Sequence, residues 1–265
     1  MNSRMFPAFA ERAKRSYQTP LALVALLVIW QGAVMIFRIP DFILPSPLSA
    51  ISHLVLPQTK ANYRWHIQIW TTLSEVLISF GVTAVLGVLI AVVVSWSRTI
   101  RNVAMPAFIF INSLPIIAIA PIILLWFGYG IGTNVLIAFL VSFFPVVINS
   151  TKGMSEVDND LIDLVRYLHA SKWQIFLKIR FPNSLPYVFT GLKISSTMCV
   201  VGAIVGEFIA SDRGLGFIII NSQYTMDTPP IFSALIVVSL IGVGLFWVVQ
   251  GIERLVMPWN RQRSL

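Results

Sequence analysis

With 265 residues of which 57% are hydrophobic and only 11% charged, and a mean hydropathy of +0.81, the chain has more apolar surface than a soluble domain of that size encloses. The bilayer is therefore its solvent. A net charge of +8 would suit nucleic-acid binding, but the positions of the cations assign it to membrane topology instead; the lone Cys199 excludes an intramolecular disulfide, and His53, His66 and His169 lack metal-ligand spacing.

Residues 1–19 carry Arg4, Arg12, Lys14 and Arg15, and the apolar run that follows is long and has no small-residue cleavage pattern. This segment is expected to stay on the chain as a cytoplasmic anchor. Apolar runs then recur at 20–37, 67–96, 104–127, 134–149, 187–209 and 231–250, each predicted to be a transmembrane helix because only a helix satisfies its own backbone in hydrocarbon. Six spans put both termini on one side. Placing that side in the cytoplasm gathers fifteen of the nineteen Lys and Arg there, counting Lys193 in the inner part of the fifth span, and leaves only Arg38, Lys60, Arg64 and Arg213 outside, as the positive-inside bias requires. The expected fold class is thus an all-α membrane protein with six transmembrane helices and cytoplasmic N and C termini, a single transmembrane domain over 1–265.

The second span carries a ladder of small residues, Ser79, Thr83, Gly87, Ala91 and Ser95, which lets a neighbouring backbone approach closely. The fifth carries two, Gly191, Ser195, Cys199 and Ala203, and Gly202, Gly206 and Ala210, and is expected to pack centrally. The third span contains Pro106, Pro115 and Pro121, so it is predicted to be kinked or unwound, with Asn112 and Ser113 beside Pro115 as candidates for lining a pathway. Glu75, two turns into the second span, and Glu207, near the outer end of the fifth, are acidic residues expected in spans; each either reaches the interface or lines the route of a solute.

One polar island, 154–186, interrupts the apolar pattern. Val157, Leu161, Leu164, Val165 and Leu168 fall on one stripe of a helix whose early turns hold Asp158, Asp160 and Asp163. A second helix is predicted from Ser171, capped by its hydroxyl with Gln174 reaching back, and stopped by Pro182; the two helices join at His169 and Ala170. Two structured helices in a loop imply a contact surface, or a pair of interfacial helices with Trp173, Phe176 and Phe181 dipping into the headgroups.

At these residues the chain resembles the permease subunits of binding-protein-dependent ATP-binding cassette (ABC) importers. Their cytoplasmic EAA loop runs Glu-Ala-Ala, three residues, Gly, nine residues, Ile, one residue, Leu-Pro; those positions here hold Asp163, Leu164 and Val165, then His169, then Ile179, and Phe181 with Pro182. Leu164 and Val165 are bulkier than the family's alanines, and His169 stands where glycine would take a left-handed turn. Leu44 to Pro47, Thr72 to Gly81, Ser113 to Gly128, and Gly206-Glu207 followed by Gly214-Leu215-Gly216 are similar to the nitrate, sulfonate and taurine branch.

The resemblance implies the type I importer (MetI-like) permease fold and a role as the transmembrane subunit of an ATP-driven importer for a small polar solute. Asp160, Leu161, Asp163, Leu164, Val165, Leu168, His169, Ala170 and Ser171 would form the coupling helix on which an ATPase docks, and Glu75, Asn112, Ser113, Pro115 and Glu207 are the pathway candidates. The implied partners are two ABC ATPase subunits, a second permease copy forming a homodimer, a periplasmic or lipid-anchored binding protein and the inner-membrane lipid. The chain has no phosphate-binding loop, so ATP and magnesium belong to the ATPase and no cofactor or metal is expected on this chain. The acidity of Glu75 and Glu207 favours a neutral or cationic heterocycle over an inorganic anion. A stand-alone ion-coupled secondary transporter is the alternative, and the broken third span is the one feature that fits it.

Overall fold

Apolar runs punctuated by prolines fold here into helices of very different length. A computed structural model describes residues 21, 24–55 and 63–259. The segment 1–19 and the cations Lys60, Arg261 and Arg263 lie outside the described residues, as does the side chain of Ala210. Among the described residues the helices are α1 (Val24–Phe37), α2 (Pro47–Val55), α3 (Trp65–Trp96), α4 (Arg98–Asn112), α5 (Ile116–Phe127), α6 (Ile131–Ser155), α7 (Asn159–Tyr167), α8 (Lys172–Ile175), a π-helical turn (Phe176–Arg180), α9 (Phe181–Ala210), α10 (Leu215–Tyr224) and α11 (Thr228–Val256).

Four of these are long and apolar enough to cross a bilayer: α3, α6, the continuous rod Lys172–Ile209, and α11. The predicted third span is not one helix. It divides into α4 and α5, bent by 91° at residues 113–115, which make a fifth crossing when taken as one broken span. Pro115 is the break, because it supplies no N–H to continue α4, whereas Pro106 and Pro121 lie inside helices. α1 is the shorter apolar helix at the first predicted run.

Pro182 does not stop the helix predicted from Ser171. The turn before it widens to π geometry, with the Phe181 N–H donating to the Phe176 carbonyl, and the chain continues as α9 with Pro182 in its first turn. A proline ring clashes with the carbonyl four residues earlier, and a wider turn relieves that clash. The fifth span thus begins before residue 187, and the fourth extends beyond 134–149 to Ile131–Ser155.

The chain divides into two units. In the smaller, Met1–Tyr63 with Asn221–Ala234, the Trp30 and Phe232 rings meet at 5.5 Å, the Ser233 hydroxyl donates to the Ala50 carbonyl at 2.6 Å, and the Tyr63 hydroxyl donates to Asp227 at 3.0 Å.

The larger unit, Arg64–Ile220 with Leu235–Leu265, is built on α3, α6 and α9. All five residues of the predicted α3 ladder are buried, and Thr83 bonds to Ser142 of α6 at 2.9 Å. On α9, a Cβ at Gly202 would stand 2.5 Å from the Ala138 Cα, and one at Gly206 2.9 Å from the Asn134 Cα. Glycine is what allows α6 and α9 to meet backbone to backbone. The other α9 ladder also packs: Cys199 and Ala203 are buried with Val76 of α3, Ala138 of α6 and Leu245 of α11. α9 therefore packs on α3, α6 and α11 through its two small-residue faces, while Ile194, Met198 and Val201 stay exposed. Outward-facing side chains such as Leu77, Val85, Leu89 and Trp247 remain exposed, the pattern of a bundle solvated by lipid.

Candidate functional site

The polar loop, the bend at 113–115 and a buried network at the far end of α9 hold the sequence-predicted residues.

In the loop, the Asp158 carboxylate caps α7 by accepting from the Asp160 N–H at 3.0 Å. Asp163 pairs with Arg166 at 3.2 Å, but both are exposed, so the pair adds little stability. The helix turns Ile162 inward, 4% exposed, and leaves Leu161, Leu164 and Leu168 at 42%, 58% and 68%. An amphipathic helix ordinarily buries its leucines; this one presents them.

Its end has a Schellman geometry: the Ala170 N–H donates to the Val165 carbonyl at 3.0 Å and the His169 N–H to the Arg166 carbonyl at 2.9 Å. His169 has φ of 60°, so it occupies the left-handed position where the EAA pattern has glycine. The predicted capping box follows, with the Gln174 N–H donating to the Ser171 hydroxyl at 3.2 Å and the Ser171 N–H to the Gln174 carbonyl oxygen at 2.8 Å. Ser171 fixes the direction in which the chain leaves α7.

At the bend, Asn112, Ser113 and Pro115 are exposed on the chain. The Ser113 hydroxyl donates to the Ile109 carbonyl at 2.9 Å, the same carbonyl that accepts the Ser113 N–H at 3.1 Å, so the side chain doubles the last helical bond of α4. No residue of α4 is buried.

Glu75 and Glu207 are placed differently, enclosed within the chain at 0% and 1% exposure. Glu207 accepts from the Thr72 hydroxyl and from the Gly216 N–H, each at 2.5 Å. The Leu215 N–H donates to the Thr72 oxygen at 2.8 Å, and the Gly214 N–H to Gln68 Oε1 at 2.6 Å. Three successive N–H groups at the start of α10, which no intrahelical bond can satisfy, are thus capped by side chains of α3 and α9. Beside them the Asn134 amide donates to Glu75 Oε1 at 2.8 Å and to the Ser211 hydroxyl at 2.6 Å. Gly214 has φ of 108°, and any Cβ there would overlap the Glu207 carboxyl. Sequence reasoning missed Gln68, Thr72, Asn134 and Ser211; the signal for them was the Gly-Glu and Gly-Leu-Gly pairing of 206–207 with 214–216.

Residues 83–258 match the family model described as binding-protein-dependent transport system inner membrane component. The chain is 30% identical to the formylaminopyrimidine transport permease protein ThiX of Halalkalibacterium halodurans, over 94% of this chain and 100% of that one. It is 32% identical to the riboflavin transport system permease protein RibX of Chloroflexus aurantiacus, over 91% and 89%, and 29% identical to the nitrate import permease protein NrtB of Synechocystis, over 90% and 88%. Among solved structures, an inward-facing form of the MetNI methionine ABC transporter aligns with a TM-score of 0.57 at 19% identity, covering 70% of this chain and 94% of that one. That likeness speaks for the fold. A stand-alone secondary transporter is not what these matches describe.

Proposed function

Because the chain belongs to the inner membrane components of binding-protein-dependent transport systems, and is thus a multi-pass ABC importer permease, we propose that it works as a homodimer driven by two copies of a separate ATPase docked on α7. A periplasmic or lipid-anchored binding protein delivers the solute.

The observation that carries this reading is the exposed Leu161, Leu164 and Leu168 stripe on a helix fixed at both ends by its own caps. A rigid helix that shows apolar side chains to water is built to be covered. Closure of the ATPases on ATP would move α7, and the rod that follows it would carry that displacement into the membrane. The exposed backbone break at Asn112, Ser113 and Pro115 is the part suited to line the pathway between two copies.

Glu75 and Glu207 are assigned instead to holding the turn before α10, since both are enclosed and bonded within the chain. Their acidity then says nothing of the solute. The pyrimidine and riboflavin permeases among the relatives favour a heterocycle as the substrate class.

Leu164→Asp tests the docking. Because Leu164 is exposed, the change should shift folding by no more than about 0.5 kcal/mol. Co-purification of the ATPase and solute uptake should both be lost while the protein still inserts. Undiminished ATPase recovery would overturn the assignment.

A further inference from the structure

We propose that the end of the bundle where α3, α4 and the π turn meet is a binding site for the phosphate headgroup of an anionic phospholipid. Trp96, the last residue of α3, meets the rings of Trp173 and Phe176 at 5.7 Å each; Trp173 stacks on Phe176, and Phe181 joins them at 6.1 Å. Phe176 is buried, but Trp96 and Trp173 keep 49% and 56% of their surface exposed. Half-exposed tryptophans at the end of an apolar span mark the headgroup level, where an amphipathic ring is most stable.

Cations gather beside this platform. Arg98 and Arg101 follow Trp96 in the first turn of α4, and Arg180 ends the π turn four residues after Phe176. Arg180 lies within charge range of Arg101 and Arg166, and both Arg101 and Arg180 are half-buried. Arg166 has Asp163, but Arg101 and Arg180 have no ion-pair partner among the described residues.

Two half-buried guanidiniums facing like charge and no carboxylate are unfavourable by themselves. One phosphate accepting from both reverses the sign, since guanidinium and phosphate match in charge and geometry. Basic pockets between helices at the cytoplasmic face suit anionic headgroups, and the charge bias puts this end in the cytoplasm. The ring platform decides between a lipid and an acidic protein surface. It extends the apolar span up to the cations, as an acyl chain below a headgroup requires.

Trp96 and Trp173 are built-in reporters. In nanodiscs of the full chain, dibrominated phosphatidylglycerol is compared with dibrominated phosphatidylcholine as quencher of tryptophan fluorescence, with a Trp96→Phe/Trp173→Phe variant to subtract the other indoles. The expected result is an about thirtyfold preference for phosphatidylglycerol, as two cations near the surface at about 1 kcal/mol each should give. Arg101→Gln/Arg180→Gln should abolish it and Arg101→Lys/Arg180→Lys retain part of it. Equal quenching by the two lipids, or an unchanged preference in the Gln variant, overturns the proposal. Loss of the preference on adding inorganic phosphate would assign the site to the free anion, and loss on adding the ATPase would assign the arginines to that partner; either also overturns it. If the Gln variant fails to insert, the wild-type comparison and the phosphate arm decide.

Discussion

Replacing Gly214 by alanine puts a methyl group where the Glu207 carboxyl already sits. At φ of 108° a side chain is itself strained, by about 1–3 kcal/mol. The carboxyl must also move, and at 1% exposure no water reaches the donors it abandons, so the Thr72 hydroxyl and the Gly216 N–H each lose an acceptor at about 1–3 kcal/mol. The sum is about 3–9 kcal/mol concentrated on the turn before α10. Amide hydrogen exchange is the assay: protection at Leu215 and Gly216 should fall by roughly two to six orders of magnitude, at about 1.4 kcal/mol per tenfold. The cause is isolated by a cycle with Glu207→Ala. In that background the overlap is gone, so Gly214→Ala should add only the backbone strain, and the coupling between the two sites should be at least about 2 kcal/mol. Additive effects, or unchanged exchange in Gly214→Ala, would refute the account of Gly214 as space for Glu207.

His169→Gly removes a side chain from a left-handed position worth about 1–2 kcal/mol, offset by about 0.5–1 kcal/mol of extra freedom in the unfolded chain, so amide protection at the end of α7 should rise slightly with transport unchanged. Gly202→Leu should prevent folding, because its Cβ meets the Ala138 backbone; Gly242→Leu, whose Cβ touches only Val200 Cγ2 at 3.7 Å, should give monodisperse protein on size-exclusion chromatography, and equal behaviour of the pair would count against the α6–α9 contact. Tyr63 has its pKa raised by burial and then by the bond and charge of Asp227. Its contribution is therefore complete below the ordinary tyrosine pKa of about 10 and lost as pH rises through the higher folded value, so thermal stability should converge with that of Tyr63→Phe at alkaline pH but exceed it at neutral pH.

What could be foreseen from the sequence was what depends on periodicity or on neighbours a few residues apart. Small residues every four positions in α3 and α9 mark helix contacts, because without a hydrophobic drive between helices in lipid the contact must be made by close approach. The Ser171 capping box and the left-handed position at residue 169 are likewise local. The network around Glu207 is not. Gln68 and Thr72 find their partners 146 and 135 residues away, and at the start of an apolar run they look like ordinary interfacial polar residues. The π turn escaped prediction because proline signals both the end of a helix and the first turn of the next. A wider turn before Pro182 lets one helix pass into the other without a gap.

These features also constrain how the loop and the far end of α9 act together. α9 has 30 residues, about 45 Å of helix, and its two ends are fixed differently. At one end the capped turn and the Trp173–Phe176 stack hold it to Trp96 of α3; at the other, Glu207 holds the start of α10. Between them Gly202 and Gly206 sit directly against the α6 backbone, where sliding by a residue would drive larger side chains into the same space. α6 and α9 therefore move as one body. A displacement entering through α7 has two routes: it bends the rod at the π turn, where the α register is already broken, or it tilts the α6–α9 pair and strains the Glu207 network. The network is sealed, and its Thr72, Leu215 and Gly216 donors all have acceptors there, so yielding leaves buried donors unpaired, whereas the π turn requires only a change of register. The compliant element thus lies next to the helix that an ATPase would grip.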